Sequence, residues 1–239
     1  MENTSYVGLS YQMALQRKMD TIANNVANVD TSGYKSGHVT FLEHISSPNR
    51  AEPLSMVMDY GNYRNYESGP IQQTGNPYDV ALQGNGFFAV QTAEGGEQYT
   101  RNGRFQVNSA GELVNSAGQV VLDAGQKPII IPNDAREILI DEQGAVSTDQ
   151  GEIGRLKIVR FDEPQKLRPV GNSLFETEQD AVPDAETKVM QGAVEGSNVN
   201  AVTEMTDMIE VLRRYQSVAR LLQNDHDLQR SMIQQLSRI

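Results

Sequence analysis

The chain has 239 residues, enough for one large or two small domains, with 38% hydrophobic residues, a mean hydropathy of −0.49 and a formal net charge of −11. That balance argues against general nucleic-acid binding and against adhesion to anionic membrane, since both need a basic stripe, and the cations here are scattered apart from Arg213-Arg214. The sequence holds no cysteine, which removes disulfides and thiolate chemistry, and no run approaches the roughly 18 apolar residues that cross a bilayer.

Residues 4–29 read as the first helix, with Thr4 or Ser5 as N-cap and Gly8 as the lone interior glycine. Leu15, Met19, Ile22, Val26 and Val29 step by four, three, four and three residues, which lines them along one helical stripe. The helix ends in a cluster of amides, Asn24, Asn25 and Asn28. Asn competes for nearby backbone groups and weakens a helix, so these amides are expected to be satisfied by a partner. Thr31-Ser32-Gly33 supplies a stop, with Gly33 able to take the left-handed backbone. The stretch Met1-Glu2-Asn3-Thr4-Ser5-Tyr6 has neither a basic nor an apolar leader region, so no Sec-type signal is expected.

Residues 36–70 show no firm periodicity and read as an extended connecting segment with short strands, with turn signals at Tyr60-Gly61-Asn62-Tyr63 and Gly69-Pro70. From 71 to 186 the chain reads as all-β, because short apolar runs recur between Gly, Asn and Pro punctuation. Asp79-Val80-Ala81-Leu82, Phe87-Phe88-Ala89-Val90 and Leu156-Lys157-Ile158-Val159 are examples. A seven-residue unit repeats inside it: Val107-Asn108-Ser109-Ala110-Gly111-Glu112-Leu113 is followed at once by Val114-Asn115-Ser116-Ala117-Gly118-Gln119-Val120. Each Asn-Ser-Ala-Gly predicts a tight turn between short strands of a small barrel or sandwich. Residues 187–199 read as a linker.

Residues 200–239 return to helix. Met208, Val211, Tyr215, Val218 and Leu222 alternate three and four apart, and Asp225, Gln229, Met232, Leu236 and Ile239 continue the track. The polar break at Asp225 and Gln229 is expected to fix register, and Ala201, Met205, Ile209 and Leu212 widen the stripe at its start. The fold expected is therefore α+β: terminal helices, 1–35 and 200–239, pairing as a coiled-coil-like module, with a central all-β domain of short strands and hairpins. Neither stripe can be buried by its own helix. Pairing within the chain and packing against other subunits both satisfy the spacing; the apolar content of the β zone favours assembly. On that reading the ends order when neighbours cover them.

Asn24-Asn25-Val26-Ala27-Asn28-Val29-Asp30-Thr31-Ser32-Gly33-Tyr34-Lys35 closely resembles the N-terminal signature of bacterial flagellar rod and hook proteins. The likeness continues through Gly84-Asn85-Gly86-Phe87-Phe88, Tyr99-Thr100-Arg101-Asn102-Gly103-Arg104-Phe105 and Glu195-Gly196-Ser197-Asn198-Val199-Asn200, and covers essentially the whole chain. A hook protein carries an inserted outer domain that this chain lacks, and the wording at Gly196 and Asn198-Val199-Asn200 is more similar to the proximal than to the distal rod type. The resemblance implies a structural subunit of the basal-body rod, crossing the periplasm and passing torque from motor to hook. It further implies export by the flagellar type III apparatus without a cleaved signal, and as partners that apparatus, other rod subunits and copies of itself. No cofactor, metal, small-molecule substrate or catalytic residue is expected. The assembly interface is expected at Leu15, Met19, Ile22, Asn24, Asn25, Val26, Asn28 and Val29, and at Met208, Val211, Tyr215, Val218, Leu222, Met232 and Leu236.

Three chemical readings compete with this one. Gly84-x-Gly86-x-x-Ala89 loosely matches a dinucleotide fingerprint, but the residues after it read as a strand where the fingerprint needs a helix N-terminus. The acidic run Asp141-Glu142-Gln143-Gly144 lacks the oxygen spacing of a calcium loop, and His38, His44 and His226 lack metal-ligand spacing. Carboxylates abundant enough for a secreted enzyme acting on cell-wall glycan are present, yet the most specified motifs flank the helices rather than a β-domain cleft.

Overall fold

The computed structural model describes residues 2–46, 54–92, 94–132, 134–135 and 137–236. They divide into two compact units: a helical unit of residues 1–27, 37–64 and 200–239, and a β unit of residues 28–36 and 65–199.

In the helical unit, α1 spans Glu2–Ala27 and α2 spans Ala201–Leu236. They run antiparallel: Ser5 Oγ donates to Asp225 Oδ2 at 2.9 Å near one end, and Asn25 Nδ2 donates to Glu204 Oε1 at 3.1 Å near the other. Asn200 caps α2, its Oδ1 accepting from the N–H groups of Val202 and Thr203 at 3.1 and 3.2 Å, which satisfies donors the helix cannot. Leu15, Ile22 and Val211 are buried in the seam, with Tyr11, Met19, Val26, Met208, Tyr215 and Val218 packed around them. Gly8 permits the close approach, since a Cβ there would sit 2.7 Å from Leu222 Cδ2.

The segment read as connecting chain forms a long antiparallel hairpin, β1 (Gly37–Ser46) with β2 (Leu54–Arg64), and it groups with the helices. A shift of register between Thr40 and Phe41 places Tyr60 as the extra residue beside Gly61, which disguises the alternation that a sequence scan seeks. A two-stranded hairpin is marginal alone. This one rests on the helix pair, with Val57 N–H donating to Ser10 Oγ at 3.4 Å.

The β unit is built on the strand Phe87–Gln91, which pairs with Glu97–Thr100 on one edge and with Val120–Val121 and Ile158–Arg160 on the other. Alternate side chains enter opposite cores: Phe88 and Val90 join Val80, Leu113 and Val146, while Phe87 and Ala89 join Leu122, Val159 and Phe175. The twin heptapeptides form twin turns. Asn108 Oδ1 accepts from Ala110 and Glu112 N–H, Asn115 Oδ1 accepts from Ala117 and Gln119 N–H, and Gly111 and Gly118 take φ of 83° and 82°. The stretch read as a linker contributes two strands instead, Lys188–Gln191 beside Val80–Gln83 and Ala193–Glu195 beside Ile71–Gln73. Phe87–Gln91 directly follows the Gly84-Gly86 pair, so no helix opens there.

Candidate assembly site

The fifteen residues expected at the interface fall into three groups. Leu15, Met19, Ile22, Val26, Met208, Val211, Tyr215, Val218 and Leu222 lie along the α1–α2 seam, buried or half-buried. Asn25 is 1% exposed and bound inside the chain: its Nδ2 also donates to Gly37 O, and its Oδ1 accepts from Gly37 N–H, both at 2.9 Å. It therefore ties the end of α1 to the start of β1 and to Glu204 of α2. The third group lies off the seam. Asn24 is exposed; Asn28 and Val29 fall past the end of α1 in the β unit, where Asn28 Oδ1 accepts from Thr31 Oγ1 at 3.1 Å. Met232 is 36% exposed near the end of α2. The side chain of Leu236, and Ile239 altogether, lie outside the described residues.

Burial along the seam fades toward the α2 terminus for a geometric reason. Ser5 is level with Asp225, so α1 has about one further turn to offer, whereas α2 runs eleven residues more, about 16 Å at 1.5 Å per residue. Ile233, on that overhang, is 66% exposed.

Each helix also carries a second apolar stripe that the sequence reading did not separate from the first. Tyr6, Leu9 and Met13 on α1, and Val202, Met205, Ile209 and Leu212 on α2, repeat at three and four residues and are all more than two-fifths exposed. They lie on the flanks turned away from the seam. The hairpin covers a different flank, where Tyr11, Ala14, Phe41, Val57 and Val211 line a cavity of about 350 Å³. The helix pair thus has one flank covered by the hairpin and an open apolar row on each helix, more than isolated exposed side chains would explain.

In the β unit, the two sequence boxes beside the helices meet. Lys35 Nζ lies 2.7 Å from Glu195 Oε1, and Arg101 Nη1 lies 3.4 Å from Glu195 Oε2, all three side chains being at most 1% exposed. Burial pushes the Lys35 ammonium below its ordinary value against the pull of Glu195, and the Arg101 guanidinium pushes it the same way. Gly33, with φ of 68°, packs against this site. A Cβ there would stand 2.4 Å from the Asn102 nitrogen, so the glycine serves close approach rather than helix termination.

A β unit with its own apolar cores, joined in sequence to helices with open apolar flanks, defines an assembly subunit. Three family descriptions match: "Flagella basal body rod protein" over residues 6–35, "Flagellar hook protein FlgE/F/G D1 domain" over 81–148 and "Flagellar basal body rod FlgEFG protein C-terminal" over 190–235. The chain is 40% identical to the flagellar basal-body rod protein FlgF of Caulobacter vibrioides, over all of both chains. It is 32% identical to FlgF of Escherichia coli, covering 95% of each, and 33% identical to FlgG of Agrobacterium fabrum, covering 87% of this chain and 90% of the other. The chain belongs to the flagellar basal-body rod protein family. It is a FlgF-like structural subunit of the bacterial flagellar basal body, not an enzyme.

Proposed function

We propose that this subunit forms part of the proximal rod, crosses the periplasm, and passes torque from motor to hook by assembling with copies of itself and other rod subunits through its terminal helices. The observation that carries this is the two open apolar rows, Tyr6-Leu9-Met13 on α1 and Val202-Met205-Ile209-Leu212 on α2. Covering such surface returns about 25 cal/mol per Å², repeated at every subunit along a tube. The seam residues Leu15, Ile22, Val211 and Val218 act one step back, by fixing how the two outer stripes are presented. Asn24, Asn28, Val29 and Met232 then contact neighbours, with the amides penalising wrong registers, since an unpaired buried amide costs about 1–3 kcal/mol.

In this reading the terminal helices, with the hairpin that groups with them, serve assembly, and the β unit of residues 28–36 and 65–199 is the second part of the subunit. Export runs through the flagellar type III apparatus without a cleaved signal. The distal rod type is the second reading, favoured by the identity to FlgG of Agrobacterium fabrum.

The test is removal of residues 208–239 in a motile host, with imaging of hooks and filaments. Loss of both with the shortened protein still soluble is the expected result. Normal flagella would remove the proposal. Ile209→Asp sharpens it: the charge falls on an exposed position, so the free chain keeps its melting behaviour while assembly stops.

A further inference from the structure

Glu195 is fully buried and gathers segments that are far apart in the chain. Its Oε1 accepts from Lys35 Nζ at 2.7 Å and from Gly69 N–H at 2.9 Å, and Lys35 Nζ donates also to Glu67 O at 2.7 Å. Three residues on, Asn198 Oδ1 accepts from Ser36 N–H at 2.8 Å, and its Nδ2 donates to the carbonyls of Asn65 and Glu67 at 2.8 and 3.1 Å. Backbone bonds run between the same segments: Gly33 N–H to Glu195 O and Gly196 N–H to Pro70 O, each 2.8 Å, Asn65 N–H to Ser36 O at 3.0 Å, and Asn198 N–H to Tyr34 O at 3.4 Å.

The place of this cluster in the chain is telling. The β unit begins and ends at residues 28, 36, 65 and 199. Every covalent route into or out of it therefore runs through the bonded segments 28–36, 65–70 and 195–199. The cluster borders the second apolar core, with Arg101 standing 5.1 Å over the Phe87 ring, but what joins its segments is polar bonds. Stability alone does not ask for buried charge here, because apolar side chains of similar size often serve as well or better. What ions and amides add is direction. Apolar contacts slide past one another, whereas hydrogen bonds fix register. Gly33 to Ser36 and Glu195 to Asn198 run the same way, so a pull on the exit at residue 28 against the exit at 199 loads these bonds together instead of peeling them in turn.

We propose that this clasp is where mechanical load enters and leaves the β unit, with Glu195 and Asn198 as positioning residues that stop the segments sliding. The source of the load rests on the rod reading; the strength of the clasp is a property of the single chain and can be measured on it. The sequence has no cysteine, so introduced pairs give unique handles for single-molecule pulling of the full chain. Handles at Asp30→Cys and Val202→Cys load the clasp; handles at Asp149→Cys and Glu178→Cys, also at exposed positions, load the β unit away from it.

The first pair is expected to rupture at the higher force. Asn198→Ala loses most of that difference, while Val146→Ala, which thins a core, keeps it despite a lower denaturation midpoint. Equal forces through the two handle pairs overturn the proposal, and that comparison needs no clasp variant to fold. So does a loss of force that simply follows midpoint in both variants. Either result would leave family membership and rod assembly standing.

Discussion

In the β unit one strand, Phe87–Gln91, feeds two cores, and Val80, Phe88, Ala89, Val90, Leu113 and Val146 are all fully enclosed. In the helical unit, two helices totalling 62 residues (26 in α1 and 36 in α2) enclose a seam centred on Leu15, Ile22 and Val211, and leave Tyr6, Met13, Val202 and Ile233 more than three-fifths exposed. The β unit leaves only scattered large apolar side chains in water, such as Leu139 and Ile130; the helical unit leaves rows of them. The contrast teaches that apolar content is a poor guide to where a chain is self-sufficient. What decides is whether each element has a neighbour on every apolar side.

The contrast can be broken at four points. Phe88→Ala removes a ring enclosed in the β core and stacked edge-on with Phe105 at 5.1 Å, so unfolding of that unit in urea should lose about 3–5 kcal/mol. Val218→Asp places a charge in the seam and should abolish rod assembly while leaving the β-unit transition in place; a β unit that melted with it would show that the two units are not independent. Asn25→Ala strips three hydrogen bonds at the end of α1 and should cost about 1–3 kcal/mol, read as faster amide exchange over residues 2–27 than over 80–90.

The smallest effect is in alkali. Burial, then the charge and hydrogen bond of Glu97, push the Tyr99 phenol from 10 up to about 12. The folded chain holds that proton more tightly than the unfolded one. The stability it contributes is thus complete below pH 10 and is lost as pH rises toward about 12. Tyr99→Phe should flatten that limb of the stability curve, and ultraviolet titration of the wild type should show one tyrosine ionising late.

Much of this architecture could be read in the residues. The helices lie within a few residues of where their periodicity placed them, and each Asn-Ser-Ala-Gly turn forms as its side-chain chemistry dictates. The hairpin was hidden, because a bulge at Tyr60 shifts the alternation mid-strand and mixed apolar and polar residues occupy both faces. The strands within 187–195 are too short to show a period. The second helical stripe was present in the spacing of Tyr6, Leu9 and Met13, but on α2 two stripes of the same period merge into one broad one. The clasp could not be read at all, since its members stand 160 and 94 positions apart. Its residues were visible only as words in the boxes that carry the resemblance.

The open apolar flanks of the helices also bear on how one free chain meets another, because the whole chain carries a formal charge of −11. Chains of like sign repel over about 8 Å at physiological ionic strength, farther in dilute buffer. The sticky flanks of the helices are therefore guarded by a long-range barrier that salt lowers. Association of purified chains should speed up as ionic strength rises, the reverse of partners that find each other by opposite charge.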